Sequence, residues 1–261
     1  MNVMKKYMFF LFTLLAVAVT ACAGPVVDID SLARKQRVVL DASHHQDMID
    51  FERVAQSPLK WIFLKATEGS THVDPKFLEY ARDAKAAGMK VGAYHFFTER
   101  SSATEQAAHY LNTIKSVDID LVPVVDVEVC KSPEHLSDSL RVFLACVEAE
   151  YGCNPMIYTN EAFFRDNLQA FGESNPLWIA KYSKDAPDVG FDIMLWQASE
   201  RGVIKGIDTM VDVSIFMNNH RPRDIKLPSK RKSSKDDGKE DSKSGKKKGK
   251  KSRKDSLAEK Q

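Results

Sequence analysis

Asp126 and Glu128 stand two residues apart at the end of an apolar run, Val122 to Val125. On a strand, residues i and i+2 share a face and lie roughly 6.5–7 Å apart. Carboxyl groups that close push each other's pKa values apart, so one can hold a proton while the other is ionised. Acid/base cleavage of a glycosidic bond needs that division of labour. A salt-bridged strand end would use the same residue types, so the pair has to be weighed against what surrounds it.

Polar residues recur at the ends of other apolar runs. The expected strands are 37–41, 61–65, 90–94, 121–126, 155–158, 177–180, 193–197 and 211–214, mostly short apolar stretches suited to burial on both faces. Their ends carry Asp41, Lys65 with Glu68, Tyr94 with His95, Asp126 with Glu128, Tyr158, Lys181 with Tyr182, and Trp196 with Gln197; Asp212 sits on the last strand. Acids supply proton transfer and charge stabilisation, and aromatic rings stack on apolar faces of a substrate. Taken singly, a strand-end Asp is usually a cap and a Trp is usually core. The recurrence across eight strands carries the reading.

Helices are expected between the earlier strands. Residues 75–87 follow Asp74-Pro75, an N-cap with Pro at the first helical position, and stop at Gly88. Residues 102–115 open with capping character, and 133–150 and 160–169 complete the set. The later links leave no room for full helices. The expected fold is α/β: an irregular TIM-like barrel of parallel strands, eight in number, with fewer than eight outer helices. An open doubly wound sheet is the alternative. Asp41-Ala42-Ser43-His44-His45 follows the first strand where a Gly-rich phosphate loop would stand, which favours the barrel. In such barrels chemistry gathers at the C-terminal ends of the strands. No nucleophile elbow and no metal-spaced Cys/His cluster occurs, so no metal or organic cofactor is expected.

The 261 residues divide by composition. Residues 1–21 read as a signal peptide: Lys5 and Lys6, an uncharged apolar run from Tyr7 to Val19, then small residues. A membrane-spanning helix is the competing reading, but the run is short for roughly 20 residues. Val19-Thr20-Ala21-Cys22 resembles a bacterial lipobox, which would lipidate Cys22 and anchor the chain to a membrane of the cell envelope. Plain cleavage nearby is the alternative. Residues 22–36 are expected as a linker, 37–220 as the barrel domain and 221–261 as a disordered basic tail. The whole-chain charge of +2 hides a split: residues 229–261 carry +8 and the remainder −6. The tail is too poor in apolar residues to offset its ordering entropy. It is read either as a non-specific binder of anionic polymers or as a solvated tail. Three further cysteines follow the lipobox. Cys146 and Cys153 could pair across a helix end, or all three, with Cys130, could remain free thiols.

Nine segments in order resemble glycoside hydrolase family 25, the Chalaropsis-type lysozymes. They are LDASHHQDMIDF (40–51), FLKATEGST (63–71), DPKF (74–77), AAGMKVGAYHFF (86–97), PVVDVEV (123–129), MIYTN (156–160), PLWIAKYS (176–183), LWQAS (195–199) and VDVSIF (211–216). The resemblance implies the irregular barrel and hydrolysis of the β-1,4 bond between N-acetylmuramic acid and N-acetylglucosamine in peptidoglycan; the chain is expected to be a monomer. It implies Glu128 as general acid/base and Asp126 as stabiliser of charge or helper of the substrate's 2-acetamido group. Asp41 and Asp212 match the other two acids. Tyr94, Tyr158, Trp178, Tyr182 and Gln197 match sugar-contacting or pocket-wall positions. Two positions depart: Val39 stands where the family usually has Gly, and Ala198 where it usually has Tyr. A wall-binding lipoprotein without cleavage and a tail-driven adhesin are the rival expectations; the complete acidic set argues against the first, and binding that persists without residues 229–261 would count against the second.

Overall fold

Alternation decides the core. Val39, Phe63, Val124, Met156, Trp178 and Leu195 are buried together inside a barrel. Their strand neighbours Val38, Leu40, Ile62, Leu64, Val125, Ile157 and Ile179 join a second cluster that packs against the helices. A two-residue period is what separates the two faces of each strand. The computed structural model describes residues 24–228.

The strands are β1 (Val27–Asp28), β2 (Val38–Ala42), β3 (Trp61–Glu68), β4 (His72–Val73), β5 (Lys90–Phe96), β6 (Val124–Asp126), β7 (Met156–Asn160), β8 (Leu177–Ala180), β9 (Ile193–Ile204) and β10 (Ile207–Phe216). Eight of them close the barrel in the order β2, β3, β5, β6, β7, β8, β9, β10, back to β2. The helices are α1 (Ile29–Lys35), α2 (Phe51–Val54), α3 (Phe77–Ala86), α4 (Ala103–Ile114), α5 (Pro133–Tyr151) and α6 (Glu161–Phe163), the last continuing through a π turn and a 3-10 turn to Phe171. The expected barrel with few outer helices is therefore present.

Four expectations need correction. The barrel is mixed, because β10 runs antiparallel to both β9 and β2. Only Lys205 and Gly206 join β9 to β10, and so short a link permits only a hairpin. Gly206 takes φ +101°, and a Cβ there would stand 2.6 Å from the Asp50 carbonyl. Helix α3 begins at Phe77: Asp74 binds the Lys76 amide and, through its other oxygen, His44, so it caps a turn ahead of the helix. The segment 22–36 is no linker from Val27 onward. There β1 pairs in parallel with Gly202 and Val203, and Ile29 of α1 is fully buried. Residues 221–228 also pack on the barrel: Ile225 is fully buried and its carbonyl accepts from the Val122 amide at 2.8 Å. They close the end of the barrel opposite the site, where Ile225 joins the interior cluster with Leu121 and Val122.

Gly92 serves the interior. A Cβ there would stand 2.2 Å from the Phe63 ring, so glycine leaves the space that Phe63 fills beside Trp178, whose ring centre is 5.1 Å away. Cys130, Cys146 and Cys153 are free thiols. Cys146 packs on the outer cluster and Cys153 on the interior one, which keeps that pair apart. Among the described residues no helix is long and apolar enough to cross a membrane. The signal segment with Cys22, and residues 229–261 of the basic tail, lie outside the described residues.

Candidate active site

The interior positions, followed two residues further along each strand, reach the mouth of the barrel. Val39 leads to Asp41, Gly92 to Tyr94, Val124 to Asp126, Met156 to Tyr158 and Leu195 to Gln197. On the reversed strand β10 the order inverts: Ser214 lies inside and Asp212, directly opposite Asp41, lies at the mouth. Asp41, Tyr94, Val124, Asp126, Tyr158, Trp178 and Asp212 together line a cavity of about 110 Å³.

Asp41 and Asp212 form a carboxyl pair. Burial pushes the Asp41 carboxyl well above the usual range, and the Asp212 charge adds to this, while the Gln197 hydrogen bond opposes it. Asp212 is pushed up to about 6, first by burial, with Glu200 and Glu128 adding and a hydrogen bond from Asp41 opposing. Asp41 is thus the harder of the two to ionise, and it faces Asp212 directly across β2 and β10. Gln197, buried, donates from Nε2 to both Asp41 oxygens at 3.1 and 3.0 Å. Its Oε1 accepts from the hydroxyls of Tyr158 at 2.8 Å and Tyr182 at 2.7 Å. One amide therefore sets the positions of an acid and two tyrosines.

Asp126 ends β6, and its Oδ1 is buried with no hydrogen-bond partner among the described residues. Burial pushes its carboxyl well above the usual range, Glu128 adds to the push, and the Lys65 ammonium opposes it. Glu128 lies just past the strand, exposed at the rim. The backbone between them stays tied to β7: the Val127 amide donates to the Tyr158 carbonyl at 3.0 Å, and the Thr159 hydroxyl donates to the Val127 carbonyl at 2.7 Å. The walls around Glu128 still desolvate its carboxyl and push it above its usual value, against the pull of Lys65. A carboxyl whose pKa is raised beside a water-accessible rim is disposed to donate a proton to a leaving group.

Two aromatic positions sit differently from an open stacking platform. Trp178 is 1% exposed, with its Nε1 donating to the Ser214 hydroxyl at 2.9 Å, so it forms the cavity floor. It meets Tyr158 edge-on at 5.1 Å. Tyr182, 52% exposed, is the ring free to meet a ligand face. Tyr94 is half-buried on the wall. His95, the next residue, points the other way. It is buried between Thr67 and Gln106 and stacks on Phe143 of α5, which drives its pKa down to about 3.

Lys65 belongs to the site, although its strand-end position alone did not single it out. It follows interior Phe63 by two residues, pairs with Glu68 at 2.7 Å, and among the described residues is the one cation acting on both Asp126 and Glu128. The signal that finds it is the alternation with Phe63.

Barrel and mouth define the class: an α/β-barrel enzyme of the glycoside-hydrolase kind, with Asp41, Asp126 and Glu128 at or just past the C-terminal ends of parallel strands and Asp212 brought to the same mouth on the reversed β10. The profile of glycosyl hydrolases family 25 matches residues 40–207, and the chain belongs to that family. The chain is 32% identical over 183 residues to the autolytic lysozyme of Clostridium acetobutylicum, across 68% of this chain and 55% of that protein. It is 35% identical over 185 residues to YegX, an uncharacterized protein of Escherichia coli K12, across 68% of each. Among solved structures, a family 25 glycosyl hydrolase from Bacillus anthracis superposes with a TM-score of 0.66 at 26% identity, over 70% of this chain and 90% of that one. The chain thus spans little more than half the length of its clostridial relative.

Proposed function

We propose that this chain is a lysozyme: a peptidoglycan hydrolase that cuts the β-1,4 bond between N-acetylmuramic acid and N-acetylglucosamine. The carrying observation is the mouth itself, where the desolvated carboxyls of Asp126 and Glu128 share one barrel end with the facing pair Asp41 and Asp212. Membership of family 25 supports it, as do relatives named as lysozymes.

Glu128 gives its proton to the glycosidic oxygen as the C–O bond breaks. Asp126, with the substrate's own acetamido group, stabilises the positive charge left on the anomeric carbon. Water then attacks that carbon and surrenders a proton to Glu128, which restores the acid. Asp41 and Asp212, held by Gln197, keep the floor polar and orient substrate or water. Tyr182 and Tyr94 meet the sugar rings, and Trp178 with Tyr158 shapes the floor. The protein works as a monomer, exported and held at the envelope by lipid on Cys22. Its basic tail adds non-specific attraction to anionic polymer.

Glu128→Gln tests the assignment. Turnover of purified peptidoglycan should fall by about 10²–10⁴-fold with little change in melting temperature, since the side chain is exposed. Release of reducing ends at near the parent rate would remove Glu128 as the acid.

A further inference from the structure

A second cavity, about 420 Å³, lies on the mouth rim beyond Tyr182. Gly24, Pro25 and Val27 wall one side, and Tyr182, Lys184 and Arg201 line the other. Residues 24–35 stand ahead of the family match at 40–207, so this wall is an addition that the barrel does not need for closure. It is held by two links. β1 pairs with Gly202 and Val203, and an Arg201 guanidinium nitrogen donates to the Gly24 carbonyl at 2.6 Å. Ala198 also lines this cavity, at the position where the family usually has tyrosine. Its methyl leaves the space that a ring would fill.

Tyr182 links the rim cavity to the catalytic mouth. Its ring faces the rim, and its hydroxyl reaches Gln197 and through it Asp41. The two chambers differ in charge. The catalytic mouth gathers the carboxyl groups of Asp41, Asp126, Glu128 and Asp212, and the Asp212 carboxylate, ionised above about pH 6, disfavours an anionic substituent there. The rim cavity offers Lys184 and Arg201 against a single acid, Glu200, and the bonded acceptor of Arg201 is a neutral carbonyl. A substrate whose sugars enter the mouth while its carboxylates are turned outward would meet both chambers with matched charge.

We infer that the rim cavity is an accessory subsite for the carboxylate-bearing peptide stem attached to the glycan strand. Lys184 and Arg201 bind the stem carboxylates, the N-terminal segment forms the outer wall, and Ala198 gives clearance. The inference rests on the lysozyme reading. It makes stem-bearing glycan the preferred substrate over the same glycan without peptide.

The test uses the full chain and two substrates: intact peptidoglycan, and the same material stripped of its stems by an amidase. For Lys184→Glu and Arg201→Ala, KM on the intact substrate should rise about tenfold, the loss of one charge-assisted contact, while kcat holds. On stripped glycan both constants should stay within about twofold of the parent, which also shows that the variants are folded. Ala198→Tyr, which fills the cavity without altering charge, should raise KM on intact substrate alone. Equal losses on both substrates, or none on either, overturn the subsite. Failure of the parent protein to cleave either substrate removes the lysozyme reading itself.

Discussion

Asp212→Asn should make the protein more stable and less active, and the gain should depend on pH. In the unfolded chain Asp212 ionises near the ordinary carboxylate value of 3.8, whereas in the fold it holds its proton to about 6. The group therefore costs nothing below about pH 4, where both states are protonated. Between about pH 4 and 6 the unfolded state ionises first and stability drains away; above about 6 the loss is complete. The gap between 3.8 and about 6 corresponds to about 3 kcal/mol at the plateau. Partial solvent access at the mouth trims this to about 2 kcal/mol, or roughly 4–8 °C in melting temperature for a domain of this size. Asparagine removes the ionisable group and can still accept from Asp41. Thermal melts of parent and variant should coincide near pH 4, separate between about pH 4 and 6, and stay apart by that full amount to pH 8, with the variant higher. Peptidoglycan turnover by the variant should fall at every pH. A variant that melts lower than its parent at pH 8, or a difference independent of pH, would refute the account of a strained carboxyl pair.

Two further perturbations test the frame that holds the site. Gly92→Ala places a methyl 2.2 Å from the Phe63 ring inside the barrel, so a loss of about 3 kcal/mol or more is expected in urea titration; a neutral result would mean that the interior can repack. Ile29→Ala removes a fully buried side chain from the segment ahead of the barrel and should cost about 2–4 kcal/mol. A loss under about 0.5 kcal/mol there would mean that α1 is not part of the cooperative fold.

The carboxyl groups were legible before any fold. Asp126 and Glu128 follow an apolar run, Asp41 and Tyr158 close others, and a two-residue period turns each run into a strand with an inside and an outside. The eight barrel strands lie where the apolar runs place them, because burial on both faces leaves little room for another pattern. Composition could not carry the segments that gain their order from contact. Residues 27–35 look like a polar linker, yet Ile29 finds a pocket beside Gly202, whose missing side chain leaves the room. Residues 221–228 read as the start of a charged tail, yet Ile225 closes the far end of the barrel.

The same division runs through the site. Local sequence determined which residue types reach the mouth. Which of them touch was decided by closure: Asp41 and Asp212 are 171 positions apart, and only the antiparallel return of β10 sets them opposite each other. Gln197 acquires its role as clamp, and Lys65 its hold over two acids, from strands that meet across a ring. Strand identity follows from spacing along one segment. Proton sharing and charge coupling depend on distances between segments, and those exist once the barrel is closed.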